Sequence, residues 1–179
     1  TPWAGRLLAD CIRDAGLPAG VFNYVNGAGS AVGEQMIRDA RTAGATFTGS
    51  VAVGRAIMEA MASGPYSRPY IAEMGGKNPT IVTENADLDR AAAGIARSAY
   101  GMGGQKCSAL SRLYVHEKVA DSLMTKIEKE IDKIRIGDPT DRATGLGPVI
   151  NRRAHESYAR YVSELKDRGA KFRRGGKQP

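Results

Sequence analysis

The chain has few of the residues on which several kinds of chemistry depend. Its 179 residues include two cysteines, Cys11 and Cys107, and two histidines, His116 and His155. Two cysteines are too few for a disulfide framework. Neither they nor the histidines fall at the spacings of a zinc or iron site, so no metal is expected. A cysteine hydrolase would pair its thiol with a histidine. His116 ends a candidate strand and His155 sits on a basic helix face, and both read as surface or packing residues. No apolar run reaches membrane length and no basic, apolar and small leader pattern is read. No membrane partner and a reducing, cytoplasmic setting are therefore expected. No internal repeat or low-complexity segment breaks the chain, and 42% hydrophobic residues are enough to build a core.

Aromatic residues make up only 6% of the chain, which matters for its charge. The formal net charge is +7, and residues 151–179 hold nine Lys or Arg against three Asp or Glu, so +6 of the total lies there. That segment has neither interleaved aromatics nor the signature of a nucleic-acid module. It reads as the wet face of a helix, and no nucleic acid is expected as a partner.

What is present alternates between helix and strand. Thr1 and Pro2 form an N-cap and first helical position. Trp3, Leu7, Leu8, Cys11 and Ile12 then share one stripe until Gly16, which makes Cys11 a core residue in this reading. Val21 to Val25 reads as a strand, followed by the glycine-spaced "NGAGSAVG" and a helix closing at Gly44. "ATFTGS" (45–50) is a strand running into a helix over Val51 to Ala62, and "YIAEMGG" (70–76) is another strand. Strand "TIVTE" (80–84), a helix over Leu88 to Tyr100 capped by Asp87, and strand "RLYVH" (112–116) continue the rhythm. A long amphipathic helix from Val119 to Ile134 is stopped by Gly137 and Pro139, and Asn151 caps a last helix. Such alternation implies parallel strands joined by helical crossovers, an α/β sheet.

Two segments carry candidate chemistry on this frame. In "GMGGQKCSAL" (101–110), Gly103 and Gly104 permit close backbone approach, Lys106 adds positive charge, and the Cys107 amide can donate to a developing oxyanion. These residues fit a nucleophilic cysteine, and they equally fit a buried structural cysteine in a small-residue site. In "IAEMGGK" (71–77), Glu73 stands where an apolar strand meets a double glycine. A carboxylate there is either simply solvated or partnered and working, and with a nearby thiol it would serve as acid or base.

"FTGSVAVG", "EMGGKNPTIV", "ADLD", "GGQKCSA", "IGDP" and "GP", in this order and at these spacings, resemble the aldehyde dehydrogenase superfamily over essentially the whole chain. Family members are much longer, and the match is to their middle. The resemblance implies a partial three-layer, parallel-sheet α/β fold. In it, residues 1–74 belong to a Rossmann-like NAD(P)-binding domain and residues 75–179 begin the catalytic domain. It implies that Cys107 attacks an aldehyde and that Glu73 activates water to hydrolyse the resulting thioester. A glutamate at this position favours the free acid over transfer to coenzyme A. It assigns Gly49 and Ser50 to the cofactor pyrophosphate, Gly54 to close packing of the following helix, Gly29 and Gly33 to the adenosine side, and Met74 to the nicotinamide. Gly27 stays a plain turn residue, and Lys77 and Asn78 stay structural. "EMGGKN" with "GQKCSALSR" is similar to enzymes that oxidise glutamate semialdehyde, in which Ser108 would hold the substrate carboxylate. NAD or NADP is the expected cofactor, a small aldehyde the partner, and a homo-oligomer the full-length state. A side-chain oxyanion donor before Thr1, and a ribose-binding glutamate and oligomerisation strands after Pro179, are also implied. Two other expectations stand beside this one: a non-catalytic fragment that binds at most a nucleotide or partner, and an aldehyde dehydrogenase of broad specificity.

Overall fold

A computed structural model describes residues 2–177, which fall into two compact units, one up to Gly75 and one from Gly76. Each unit contains one parallel strand pair bridged by a helix. The α/β reading with parallel strands therefore holds.

In the first unit, helix α1 (Pro2–Asp14) is followed by an irregular stretch and a π turn (Gly29–Gly33) that runs into the short helix α2 (Glu34–Arg38). Strand β1 (Ala45–Gly49), helix α3 (Val51–Ala62) and strand β2 (Tyr70–Met74) then form the βαβ element, paired in register from Ala45 and Tyr70 to Gly49 and Met74. Ser50 separates strand from helix: its backbone is extended, and its hydroxyl accepts the Val53 N–H at 3.4 Å. Gly54 and Met61 are the buried residues of α3. Arg68 joins the helix ends of this unit. Its guanidinium donates to the carbonyls of Asp39 (3.0 Å), Thr42 (3.1 Å) and Ala60 (2.7 Å), tying the segment after α2 to the last turn of α3. The Arg41 side chain and backbone N–H beside Asp39 hold that carboxyl well below the usual carboxylate range.

The second unit holds strand β3 (Asn78–Val82), helix α4 (Leu88–Tyr100), strand β4 (Leu110–Val115), helix α5 (Ala120–Asp132) and helix α6 (Arg152–Asp167). β3 and β4 are parallel with a bulge: Asn78 faces Leu110, Pro79 faces Arg112, and Ser111 is the extra residue. Val82, Ala92, Ile95, Leu123 and Ile127 form the core, in which α4 and α5 close over the strand pair. Asp87 caps α4 through the N–H groups of Asp89 and Arg90, both at 3.1 Å, and Asn151 caps α6 through Ala154 N–H at 2.9 Å. After α6 the chain returns to α5, where Arg173 pairs with Glu128 and Arg174 with Asp132.

Several expectations change. Val21 to Val25 is not a strand, because no neighbouring strand pairs with it among the described residues, and Val21, Phe22, Tyr24 and Val25 are exposed. Instead Tyr24 packs on Gly5 and its hydroxyl donates to the Pro2 carbonyl at 2.8 Å. Cys11 is exposed, not core, because α1 buries none of its residues and its apolar stripe lies open, with Trp3 72% exposed. The N-cap assigned to Thr1 lies outside the described residues. α2 ends at Arg38, before Gly44, with Asp39 in an extended conformation. α5 ends at Asp132, before Gly137, because Lys133 and Ile134 tighten into three-residue hydrogen bonds to Glu130 and Ile131.

The core and the caps predict an order of mutational cost. Leu123, with 0% exposure, should cost about 2–5 kcal/mol on Leu123→Ala, whereas Asp87→Ala should cost about 1 kcal/mol for the lost cap. Urea unfolding of both variants checks the order, and equal costs would mean that α5 does not anchor this core.

Candidate functional site

The nucleophile segment begins where α4 stops. Met102, Gly103 and Gly104 follow one another in the left-handed region, with φ of 54°, 65° and 70°. Glycine adopts this conformation freely, but a methionine there stores about 1–2 kcal/mol. Gln105 holds the turn in place. Its backbone N–H and Nε2 both donate to the Met102 carbonyl, at 3.2 and 2.8 Å, while its Oε1 accepts the Ile150 N–H at 3.1 Å. A Cβ at Gly104 would also crowd the Ala99 carbonyl at 3.1 Å, adding to the cost of its positive φ.

Cys107 and Ser108 then occupy the two corners of a β-turn closed by the Ala109 N–H to the Lys106 carbonyl at 3.2 Å. Both corner residues are exposed, so the buried structural reading of Cys107 does not hold. Among the described residues, the N–H groups of Cys107 and Ser108 have no acceptor within the protein. The Lys106 amine lies against Gly101, 3.4 Å from where a Cβ would be, and so is directed toward the end of α4. From β3, Asn78 Nδ2 donates to the carbonyls of Cys107 (2.6 Å) and Ala109 (3.1 Å), and the Leu110 N–H donates to Ser98 Oγ at 3.3 Å.

The first unit carries the other candidates. Glu73 lies on β2 opposite Thr48 of β1. It is exposed and makes no hydrogen bond or ion pair among the described residues, so burial imposes no demand for a partner on its charge. Its neighbour Met74 faces Gly49 across the strand pair and packs its sulfur over α3. A Cβ on Gly54 would come 2.5 Å from that Sδ and 3.2 Å from the Tyr70 hydroxyl, which donates to the Gly54 carbonyl at 2.8 Å. Gly49, Ser50, Gly54 and Met74 thus gather where the β1 and β2 ends meet the first turn of α3. There the amides of Val51 and Ala52 have no intrahelical partner. That combination of free amides and absent side chains fits an anionic group of a dinucleotide. Gly29 and Gly33 bound the π turn separately. Apart from adjoining residues and the turn's own backbone, no described atom lies within 4 Å of a Cβ at either position, so packing does not explain their being glycine. Gly27 differs, because a Cβ there would collide with Val32.

Glu73 and Cys107 belong to different units, and each is placed within its own. Among the described residues no cluster of three His, Cys, Asp or Glu could hold a metal ion. The sequence reading leaves Asn78 structural and does not name Gln105, and it foresees neither contact with the cysteine turn. The available signal was an amide side chain immediately before Pro79 at the head of a strand and another two residues before the thiol.

Known proteins with these features bear on the assignment. The model of the family described as "Aldehyde dehydrogenase family" matches residues 1–179. A 1-pyrroline-5-carboxylate dehydrogenase of Geobacillus thermodenitrificans is 39% identical over 173 residues, covering 94% of this chain and 34% of that protein. The crystal structure of an NAD-dependent aldehyde dehydrogenase from Sinorhizobium meliloti superposes with a TM-score of 0.94 at 37% identity, over 100% of this chain and 35% of that one. A Thermus 1-pyrroline-5-carboxylate dehydrogenase with bound NAD superposes with a TM-score of 0.92 at 32% identity, over 99% and 35%. The chain spans about a third of the length of the relatives it matches. Its parallel strand pairs and helices correspond to about a third of the fold of those proteins, and the chain belongs to the aldehyde dehydrogenase family.

Proposed function

We propose that this chain supplies the nucleophile and the cofactor-facing core for NAD(P)-dependent oxidation of an aldehyde to a carboxylic acid, with glutamate semialdehyde as the substrate. Residues 1–74 then form part of the dinucleotide-binding domain and residues 75–179 the start of the catalytic domain. The observation that carries the reading is the exposed Cys107 at the corner of a turn whose Cys107 and Ser108 amides have no acceptor. Such amides suit a thiol that acquires a carbonyl oxygen bearing developing negative charge.

Cys107 Sγ attacks the aldehyde carbon to give a thiohemiacetal whose oxygen lies toward the turn amides. NAD or NADP, when bound, supplies the hydride acceptor that makes oxidation to the thioester possible. Glu73 takes a proton from water as the water attacks the thioester carbon, and the C–S bond breaks to release the acid and the thiolate. The exposure of Glu73 supports this role, since among the described residues its carboxylate is not held in any ion pair. Gly49, Ser50 and Gly54 with the free α3 amides would receive the pyrophosphate, Met74 would border the nicotinamide, and Gly29 and Gly33 would border the adenosine. Ser108, exposed beside the thiol, would donate to the carboxylate of glutamate semialdehyde. The relatives named 1-pyrroline-5-carboxylate dehydrogenase favour this substrate, and one of them binds NAD. A homo-oligomer in a reducing compartment completes the proposal.

Two measurements test it. Cys11 and Cys107 are both exposed, so access alone does not separate them. Brief alkylation of the folded chain followed by mass spectrometry should nonetheless label Cys107 first, and faster labelling of Cys11 would remove the nucleophile assignment. In a full-length protein carrying this segment, Glu73→Gln should retain a burst of reduced nicotinamide while steady turnover falls by about 10²-fold or more. Loss of burst and turnover together, with the cofactor still bound, would give Glu73 another role.

A further inference from the structure

We propose that Asn78 is a positioning residue for the nucleophile turn, fixing the Cys107–Ser108 peptide plane so that the Ser108 amide faces the reacting carbonyl. The proposal rests on the reading of Cys107 as the group that carries the acyl intermediate.

Asn78 opens β3 at the bulge, where the register moves from Asn78–Leu110 to Pro79–Arg112. The bulge lets its side chain reach the segment just before β4. Nδ2 carries two hydrogens and meets two carbonyls, those of Cys107 at 2.6 Å and Ala109 at 3.1 Å. Only the nitrogen can face a pair of acceptors, so both its donors are used. A trans peptide places C=O and N–H on opposite sides. Holding the Cys107 carbonyl against Asn78 therefore turns the Ser108 N–H away from β3. Holding the Ala109 carbonyl sends the Leu110 N–H the other way, where Ser98 Oγ accepts it. The Lys106–Ala109 turn is thus tied at both ends of its C-terminal half. The Ser108 amide is left without a partner and pre-aimed, the condition under which it stabilises charge without reorganising. On the opposite side Gln105 fixes the approach to the turn through Met102 and Ile150, so Asn78 holds the half that Gln105 does not.

Two reactions of one thiol separate positioning from mere support. With p-nitrophenyl acetate, the Cys107 thiolate attacks the ester carbon through a tetrahedral oxyanion. The C–O bond breaks, p-nitrophenolate leaves with its electron pair, the acetyl group stays as a thioester, and the thiol proton goes to solvent. With iodoacetamide the thiolate displaces iodide and no oxyanion forms. Stopped-flow acylation and mass-spectrometric alkylation rates are measured on the 179-residue chain, on Asn78→Ala and on Asn78→Asp. The Asp variant keeps the shape of the side chain but turns an acceptor toward both carbonyls. In a variant with wild-type far-UV CD, acylation of Cys107 should fall about fivefold or more, the equivalent of one net hydrogen bond of about 1 kcal/mol, while alkylation stays within about twofold. Asn78→Asp should lose at least as much as Asn78→Ala. An unchanged ratio of acylation to alkylation in a folded variant, or loss of the fold in both variants, makes Asn78 part of the framework only and overturns the proposal. Acetyl found on Cys11 or on a lysine in the unsubstituted chain overturns the nucleophile reading itself, and the proposal with it.

Discussion

Parallel strands cannot be joined by a tight turn, and the rest of this molecule follows from that constraint. β1 reaches β2 only through α3, and β3 reaches β4 only through α4. Residues with candidate chemistry collect at the strand ends and at the helix-to-strand path that this constraint creates. Ser50 stands between β1 and α3, and Glu73 and Met74 finish β2. Cys107 lies on the path from α4 to β4. The core formed by Val82, Ile95, Leu123 and Ile127 is what keeps the ends of β3 and α4 fixed.

The junction after α4 is unlike the others because it is under strain. Three consecutive left-handed residues reverse the chain sharply, and one of them is a methionine. A turn of this kind survives only where neighbouring groups determine it fully. Here the determining groups are side-chain amides: Gln105 takes the Met102 carbonyl, and Asn78 takes those of Cys107 and Ala109. Backbone bonds that a regular helix or strand would supply are supplied by two amide side chains, and the thiol lies in the turn that they hold.

How much of this could be read beforehand depended on the range of the forces involved. α3, α4 and α6 follow from signals within a few residues: Ser50, Asp87 and Asn151 as caps, and apolar periodicity behind each. The cysteine motif and the strand-end glutamate are also local in sequence, and so were legible. Val21 to Val25 has strand composition, yet a strand exists only with a partner, and no partner is encoded within those five residues. The stripe on α1 correctly reports which face of that helix is apolar, but a stripe carries no information about what covers it, and Cys11 is exposed as a result. The contacts of Asn78, read only as structural, were hidden for a related reason. Its two acceptors are 29 and 31 residues away and come within reach only once β3 and β4 have paired around the bulge.

The place of Asn78 directly before Pro79 has a further chemical meaning. Asparagine side chains age by deamidation when the next backbone nitrogen attacks the side-chain carbonyl and closes a five-membered imide. A proline nitrogen has no hydrogen to lose and cannot complete that ring in the ordinary way. Asn26, by contrast, precedes Gly27 in an exposed stretch, the sequence setting most open to the same attack. Chemical wear over the lifetime of the protein should therefore accumulate at Asn26 and spare the amide that holds the Cys107 turn.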